Sequence, residues 1–265
     1  MRLGVLACLL IVLAWATGCA STAPNVRLFE WERGIGVEAL GQPGMAMYLW
    51  FYEWNMFDAV KAGQHTPGGI AQFTHRVRAD GREAELRSDD MVLKAVRVRD
   101  GAELQLTVTN RSDHDWPELA GIIPCFNPGP PERRNPQFTN TNTYFVGPDG
   151  LVRQEHREIH FNAELREQID QVSDTGTFVF SDKWPTSPVN AAAGLLLRES
   201  SDGHWVTGIA WERFLSAQAH NPWACMHLSI HLGPLSKGQT RTVRGKIYLF
   251  KGDRQDCFRR YRSGG

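Results

Sequence analysis

Apolar and polar residues alternate with a period of two along much of this chain, the period of a β-strand. Residues 103–109 are the clearest case. Leu104, Leu106 and Val108 fall on one face, Gln105, Thr107 and Thr109 on the other, and Asn110-Arg-Ser-Asp113 then supplies turn chemistry. Residues 241–250 repeat the pattern, with Val243, Gly245, Ile247 and Leu249 opposing Thr242, Arg244, Lys246 and Tyr248. Residues 45–54 are apolar on both faces, as in a central strand covered on each side. Shorter strands are predicted at 69–77, 91–99, 194–198 and 204–211. Helical spacing occurs twice: Phe161, Leu165, Ile169 and Val172 form one stripe, and Asp253 can cap a terminal helix carrying Phe258 and Tyr261. No repeat and no second composition zone interrupts the chain. The pattern predicts an all-β fold, one large antiparallel β-sandwich domain over residues 26–265 with one or two short helices.

The first residues follow a different rule. Arg2 gives a positive start, residues 3–15 are uncharged and apolar, and Ala16, Thr17 and Gly18 lead into Cys19. That run falls short of the roughly 20 apolar residues a bilayer span needs, so it reads as a signal peptide over residues 1–18. Ala16-Thr17-Gly18-Cys19 resembles the lipobox of bacterial lipoproteins, in which the cysteine is lipidated and becomes the first residue. The resemblance implies a lipid on Cys19, a tether over residues 19–25 and, with Ala20 next, an outer-membrane address in the cell envelope. Ordinary cleavage at Ala14-Trp15-Ala16, with Cys19 incidental, is the alternative. Membrane contact is expected through the lipid alone.

With 29 basic and 29 acidic residues the chain is formally neutral, so bulk charge recruits neither nucleic acid nor anionic lipid. Five cysteines include Cys8 in the leader and Cys19 at its end. Cys125, Cys225 and Cys257 remain in the body. At most one disulfide can form among them, leaving at least one thiol free, buried or metal-bound.

Residues 225–232 read CMHLSIHL and carry the most chemistry. Strand alternation sends Met226, Leu228, Ile230 and Leu232 to a core face and gathers Cys225, His227, Ser229 and His231 on the other. His220, Asn221 and Trp223 lie just upstream. Thiolate and imidazole are the donors zinc prefers, so Cys225 and His227 with His220 or His231 form a possible Zn²⁺ site. The same face can instead line a polar cleft for a sugar, or each His can be satisfied structurally. Glu53, next to Trp54, places a carboxylate where a buried strand meets a loop, and a Gly- and Pro-bounded loop presents His65. With His75 and His227 these are candidates for acid–base work, Glu53 being equally able to pair with a cation. Of nine Trp only Trp15 falls in the leader, and Trp54, Trp116, Trp184 and Trp223 adjoin polar or turn-forming residues, a composition suited to stacking on sugar rings. Residues 126–144 form a Pro- and Asn-rich stretch without periodicity, either a functional loop or a solvated connection. A Gly-rich phosphate loop, a GxSxG elbow and an HExxH helix are all absent from the sequence, which disfavours nucleotide, serine-hydrolase and zincin chemistry.

Two regions resemble the galactose-mutarotase-like β-sandwich superfamily. Leu104-Gln-Leu-Thr-Val-Thr-Asn110, followed by Pro117 and Ile123-Pro-Cys-Phe-Asn127, is similar to its strand-turn-strand running into a His-x-x-Phe-Asn segment. Gly233-Pro-Leu-Ser-Lys-Gly238 and the strand after it are similar to its closing pattern. The resemblance implies a large sandwich and contact with carbohydrate, Asn127 included. Ile123 stands where the epimerases carry His, and no clear counterpart of their C-terminal catalytic Glu is found, so epimerisation is not implied. The sequence therefore predicts an exported β-sandwich lipoprotein that binds or processes carbohydrate. Glu53, His65 and His227 are its acid–base candidates, and Trp54, His75, Asn127, His220, Trp223 and His231 its ligand contacts. A zinc-type enzyme using His220, Cys225 and His227, and a non-catalytic structural lipoprotein, are the alternatives.

Overall fold

The computed structural model describes residues 25–57, 73–174 and 184–264, with backbone only at 52–56 and 174. The leader, Cys19 and His65 lie outside the described residues, as do the side chains of Glu53 and Trp54. Among the described residues, sixteen strands form two antiparallel sheets. The first half supplies β1 (Val26–Trp31), β2 (Gly34–Ala39), β3 (Ala46–Met56), β4 (Thr74–Val77), β5 (Glu83–Arg87), β6 (Met91–Val98), β7 (Gly101–Thr109) and β8 (Gly121–Asn127). After a long loop come β9 (Thr143–Gly147), β10 (Gly150–Arg153), β11 (Ile159–Phe161) and α1 (Arg166–Asp174). The chain closes with β12 (Ala193–Glu199), β13 (Trp205–Trp211), β14 (Phe214–Gln218), β15 (His227–His231), β16 (Thr240–Lys251) and α2 (Arg254–Arg262).

One sheet runs β1-β2-β3-β8-β15-β14-β11 and the other β10-β9-β12-β13-β16-β7-β6-β5-β4. Their inner faces make the core that the period-two pattern demands. Leu104, Leu106 and Val108 of β7, Val243, Ile247 and Leu249 of β16, and Leu228 and Ile230 of β15 are all buried in it. The sandwich is thus the predicted one, with its two short α-helices.

Two local details depart from expectation. Phe161 belongs to β11 and not to a helical stripe. Asn162 Oδ1 accepts from the Glu164 N–H, so the chain turns there, and the α-helix begins only at Arg166. Ile169 of α1 still packs inward, with Leu165 and Val172 beside it, against the outer surface of the seven-stranded sheet. At the C-terminus Asp253 caps α2 as predicted, in a reciprocal box with Asp256. That helix buries Cys257 against the outer surface of the nine-stranded sheet, with Phe258 and Tyr261 packed beside it.

Candidate functional site

The outer face of the seven-stranded sheet collects the polar residues of β15 and its neighbours. His227 and Ser229 alternate with core Leu228 and Ile230, as the sequence pattern requires. Across the β14–β15 ladder Gln218 stands opposite His227 and Ser216 opposite Ser229. The two serine hydroxyls are 3.0 Å apart, and the Gln218 amide donates to Ser216 Oγ at 3.2 Å. On the other side, β15 pairs with β8 through Ile230↔Ile122, His231↔Gly121 and the bridge Met226↔Phe126. The same register brings Cys125 level with His227.

Cys125 is disulfide-bonded to Cys225, with Cα atoms 5.7 Å apart. A potential ligand atom from each of Cys125, Cys225 and His227 lies within 4.8 Å of the others. The sequence placed Cys225 and His227 together correctly and missed Cys125, which is 100 residues away along the chain. His220 is not in this group. With the bridge closed neither sulfur is a thiolate, so the face as it stands offers a metal one imidazole. Among the described residues the remaining thiol is Cys257, fully buried under α2, where burial drives its pKa up. One disulfide and one buried thiol is the arithmetic the three body cysteines allow.

Two aromatic and cationic features border this floor. Trp184 lies 5.8 Å from the His227 ring, centroid to centroid, and the Arg157 guanidinium lies over the Trp184 ring at 4.6 Å. Residues 220–224 form a tight loop before β15, with left-handed φ at His220 (64°) and Ala224 (55°). Such strain costs on the order of 1–3 kcal/mol per residue and persists only where the surroundings impose it. Here Asn221 Oδ1 accepts from the N–H groups of Trp223 and Cys225, and its amide donates to Cys225 O. Arg198 donates to Ala224 O at 2.7 Å and Arg134 to Pro222 O at 3.5 Å. The loop is clamped, and it holds Trp223 out at 60% exposure. Asn127 is buried on β8, where its Oδ1 accepts from Gly129 N and its amide reaches Cys125 Sγ. Trp50 of β3 pairs with Cys125 across the ladder.

Arg198 is completely buried, and its partners are neutral: Thr143 Oγ1, Ala224 O and Asn140 Oδ1. Desolvation lowers its pKa to about 9. A lone buried guanidinium had no signature in the alternating pattern of β12.

The structure does not bring every predicted residue to one place. His231 is four residues along β15 from His227, about 13 Å at strand spacing. Its Nε2 donates to Glu118 O at 2.6 Å and its Nδ1 accepts from Arg213 at 3.3 Å. It borders a separate cavity of about 440 Å³ with Glu118, Asn162 and Arg213. His75 lies on β4, an edge strand of the other sheet, 4.0 Å from Glu30. His231 and His75 therefore stand apart from His227, while His220 and Trp223 lie on the loop that leads into β15. Ile123 is fully buried in an apolar cluster with Leu119, Phe161, Ile169, Trp184 and Leu215. Ile123, which the sequence resemblance set against a His of the epimerases, is here part of the packing under α1. Among the described residues no helix is long and apolar enough to cross a membrane.

No family model matches the chain, and no curated protein does. Solved structures do. A candidate aldose 1-epimerase of Escherichia coli K12 is 12% identical over 88% of this chain and 82% of its own, with a TM-score of 0.37. A galactose mutarotase-like protein of Lactobacillus casei is 12% identical over 85% and 97%, with a TM-score of 0.41. A polysaccharide lyase is 9% identical over 87% of this chain and 33% of its own, with a TM-score of 0.40.

Proposed function

We propose that the protein is an exported, lipid-anchored envelope protein that binds carbohydrate at the His227 face of its seven-stranded sheet. The observation that carries this reading is a set of buried polar atoms without hydrogen-bond partners around that face. They are Gln218 Oε1, Trp50 Nε1, His220 Nδ1, Arg134 Nε and Arg157 Nε. Each buried polar atom left unpaired costs about 1–3 kcal/mol, so a cluster of them asks for a ligand with many hydroxyls. Trp223, 60% exposed on the 220–224 loop, supplies a flat apolar face on which a sugar ring stacks. His227, between Gln218 and the disulfide, is the group placed to move a proton should the bound sugar react. Export rests on the leader and the cysteine that ends it, and a tether over residues 19–25 holds the sandwich near the membrane surface.

The test is a glycan array and a thermal-shift series on purified protein, wild type against His227→Gln and Trp223→Ala. Binding by wild type that both variants weaken supports the reading. Indifference to every glycan class overturns it.

A second reading is favoured by the grouping of Cys125, Cys225 and His227 within 4.8 Å. Opened by a dithiol, the pair and the imidazole would offer a soft three-ligand site with an open fourth position, the arrangement of catalytic zinc. It differs from the sequence expectation in taking Cys125 and leaving out His220. Metal analysis of reduced protein, with substoichiometric zinc and copper as the adverse result, decides it.

A further inference from the structure

Asn25, where the tether meets the sandwich, is fixed to the fold by two backbone hydrogen bonds. Its N–H donates to Arg99 O at 3.2 Å, and its carbonyl accepts from the Leu40 N–H at 2.7 Å. Six peptide steps separate Asn25 from Cys19, a reach of at most about 20 Å at full extension. A lipid on Cys19 therefore holds the headgroup layer of a bilayer within that distance of Asn25.

The surface around Asn25 is unlike the rest of this neutral chain. A cavity of about 350 Å³ is lined there by Asn25, Leu40, Arg99, Asp100, Lys251 and Arg260, among others. Arg99 and Lys251 are exposed, and neither has an ion pair among the described residues. Among the described residues of that lining Asp100 alone is acidic, and it is buried and already neutralised. Lys246 and Arg260 each hold it at 3.1 Å. The cavity is thus net positive by placement, although the 29 basic and 29 acidic residues balance overall. Leu40, in the turn between β2 and β3, stands 49% exposed at its edge.

Unpaired cations beside an exposed apolar side chain suit a headgroup layer, where phosphates meet the charge and the acyl boundary takes the apolar group. Arginine adds a planar fork of donors that matches a phosphate. We propose that this face is a second membrane contact, docked on an anionic phospholipid surface. Arg99, Lys251 and Arg260 meet headgroup phosphates at the cavity, and Leu40 enters the layer beside them. The sequence alone led to the lipid as the sole membrane contact, because overall neutrality conceals a patch assembled from β2, β6, β16 and α2. The inference rests on the lipid-anchor reading above and adds an orientation to it, with the Lys251 end of β16 turned toward the bilayer.

The experiment places the lipidated protein in phosphatidylcholine vesicles, with or without phosphatidylglycerol, that carry a nitroxide quencher on some headgroups. A thiol-reactive fluorophore is attached at Leu40→Cys or, as the distant control, at Lys237→Cys. Lys237 is exposed and lies just beyond the Thr240 end of β16, about 36 Å of strand from Lys251. Phosphatidylglycerol is expected to raise quenching at residue 40 at least about fivefold, the weight of one basic residue at an anionic surface. Residue 237 is expected to stay unchanged. High salt removes the rise, and so does Arg99→Gln/Lys251→Gln. A rise that the double variant retains, an equal rise at both positions, or no rise at all overturns the docking and leaves the anchor standing. Failure of the protein to float with vesicles of either composition takes down the anchor and this inference with it.

Discussion

Gln218 faces His227 across the β14–β15 ladder, its amide spent on Ser216 and its carbonyl oxygen buried without a partner. In a folded core that oxygen is a cost, and replacing the side chain by an apolar one of similar size removes it. Gln218→Leu is therefore expected to leave the unfolding free energy within about 1 kcal/mol of wild type while lowering glycan affinity about tenfold. Denaturant midpoints and titration of the same preparation check both halves. A loss of several kcal/mol in stability would mean that the carbonyl is already serving the fold.

The Cys125–Cys225 bridge closes a loop of 100 residues and joins β8 to the segment entering β15. In the chain-entropy account a loop of that length restrains the unfolded state by about 4–5 kcal/mol. Reduction should lower the denaturant midpoint accordingly, and Cys125→Ser/Cys225→Ser should reproduce the loss without any reductant. Cys257, fully buried, should react with a thiol reagent only on unfolding. An unchanged midpoint on reduction would show that the bridge adds nothing to the fold.

How far the sequence reveals this molecule follows from which interactions are periodic. The alternation of β7, β15 and β16 reports burial by one sheet face, and it placed His227 opposite Leu228 without error. Cys125 pairs with Cys225 because β8 and β15 are neighbours in register, a non-local fact that no local pattern encodes. The polar partner Gln218 arrives by the same route from β14. His231 misled for a related reason. Same-face residues on one strand separate by about 7 Å for each step of two, so sharing a face is not sharing a site. Arg198 was invisible because nothing in its neighbourhood in the chain distinguishes a buried cation from an exposed one.

The apolar cluster under α1 depends on Ile169, which is 1% exposed against Ile123 and Trp184. Ile169→Ala removes its outer carbons from a small, peripheral cluster, and a cost of about 2–4 kcal/mol is expected. Because α1 has only 9 residues, part of that cost should appear as local opening. Hydrogen exchange should rise in α1 before it rises in β7 or β16. Uniform acceleration across the sandwich would show that α1 unfolds only with the whole.

His231 gives the pH response a definite sign. Burial first, then the Arg213 and Arg241 charges, lower its pKa to about 4, against the opposing hydrogen bond to Glu118 O. The folded protein therefore holds a neutral ring, with Nε2 protonated and Nδ1 accepting from Arg213. The unfolded chain protonates near pH 6.5, so between about pH 6.5 and 4 it binds the extra proton. Stability from this group is complete above about pH 6.5 and is lost as the pH falls toward 4, by on the order of 3 kcal/mol. His160, stacked on Phe145, is shifted down in the same direction by its own burial and adds to the same slope. His231→Gln keeps a donor for Glu118 O and an acceptor for Arg213 but cannot titrate. Denaturation at pH 7.5, 5.5 and 4.5 should show the wild type losing more stability than His231→Gln across that interval. Parallel losses in the two proteins would mean that the His231 proton is bound equally well in the folded and unfolded chains.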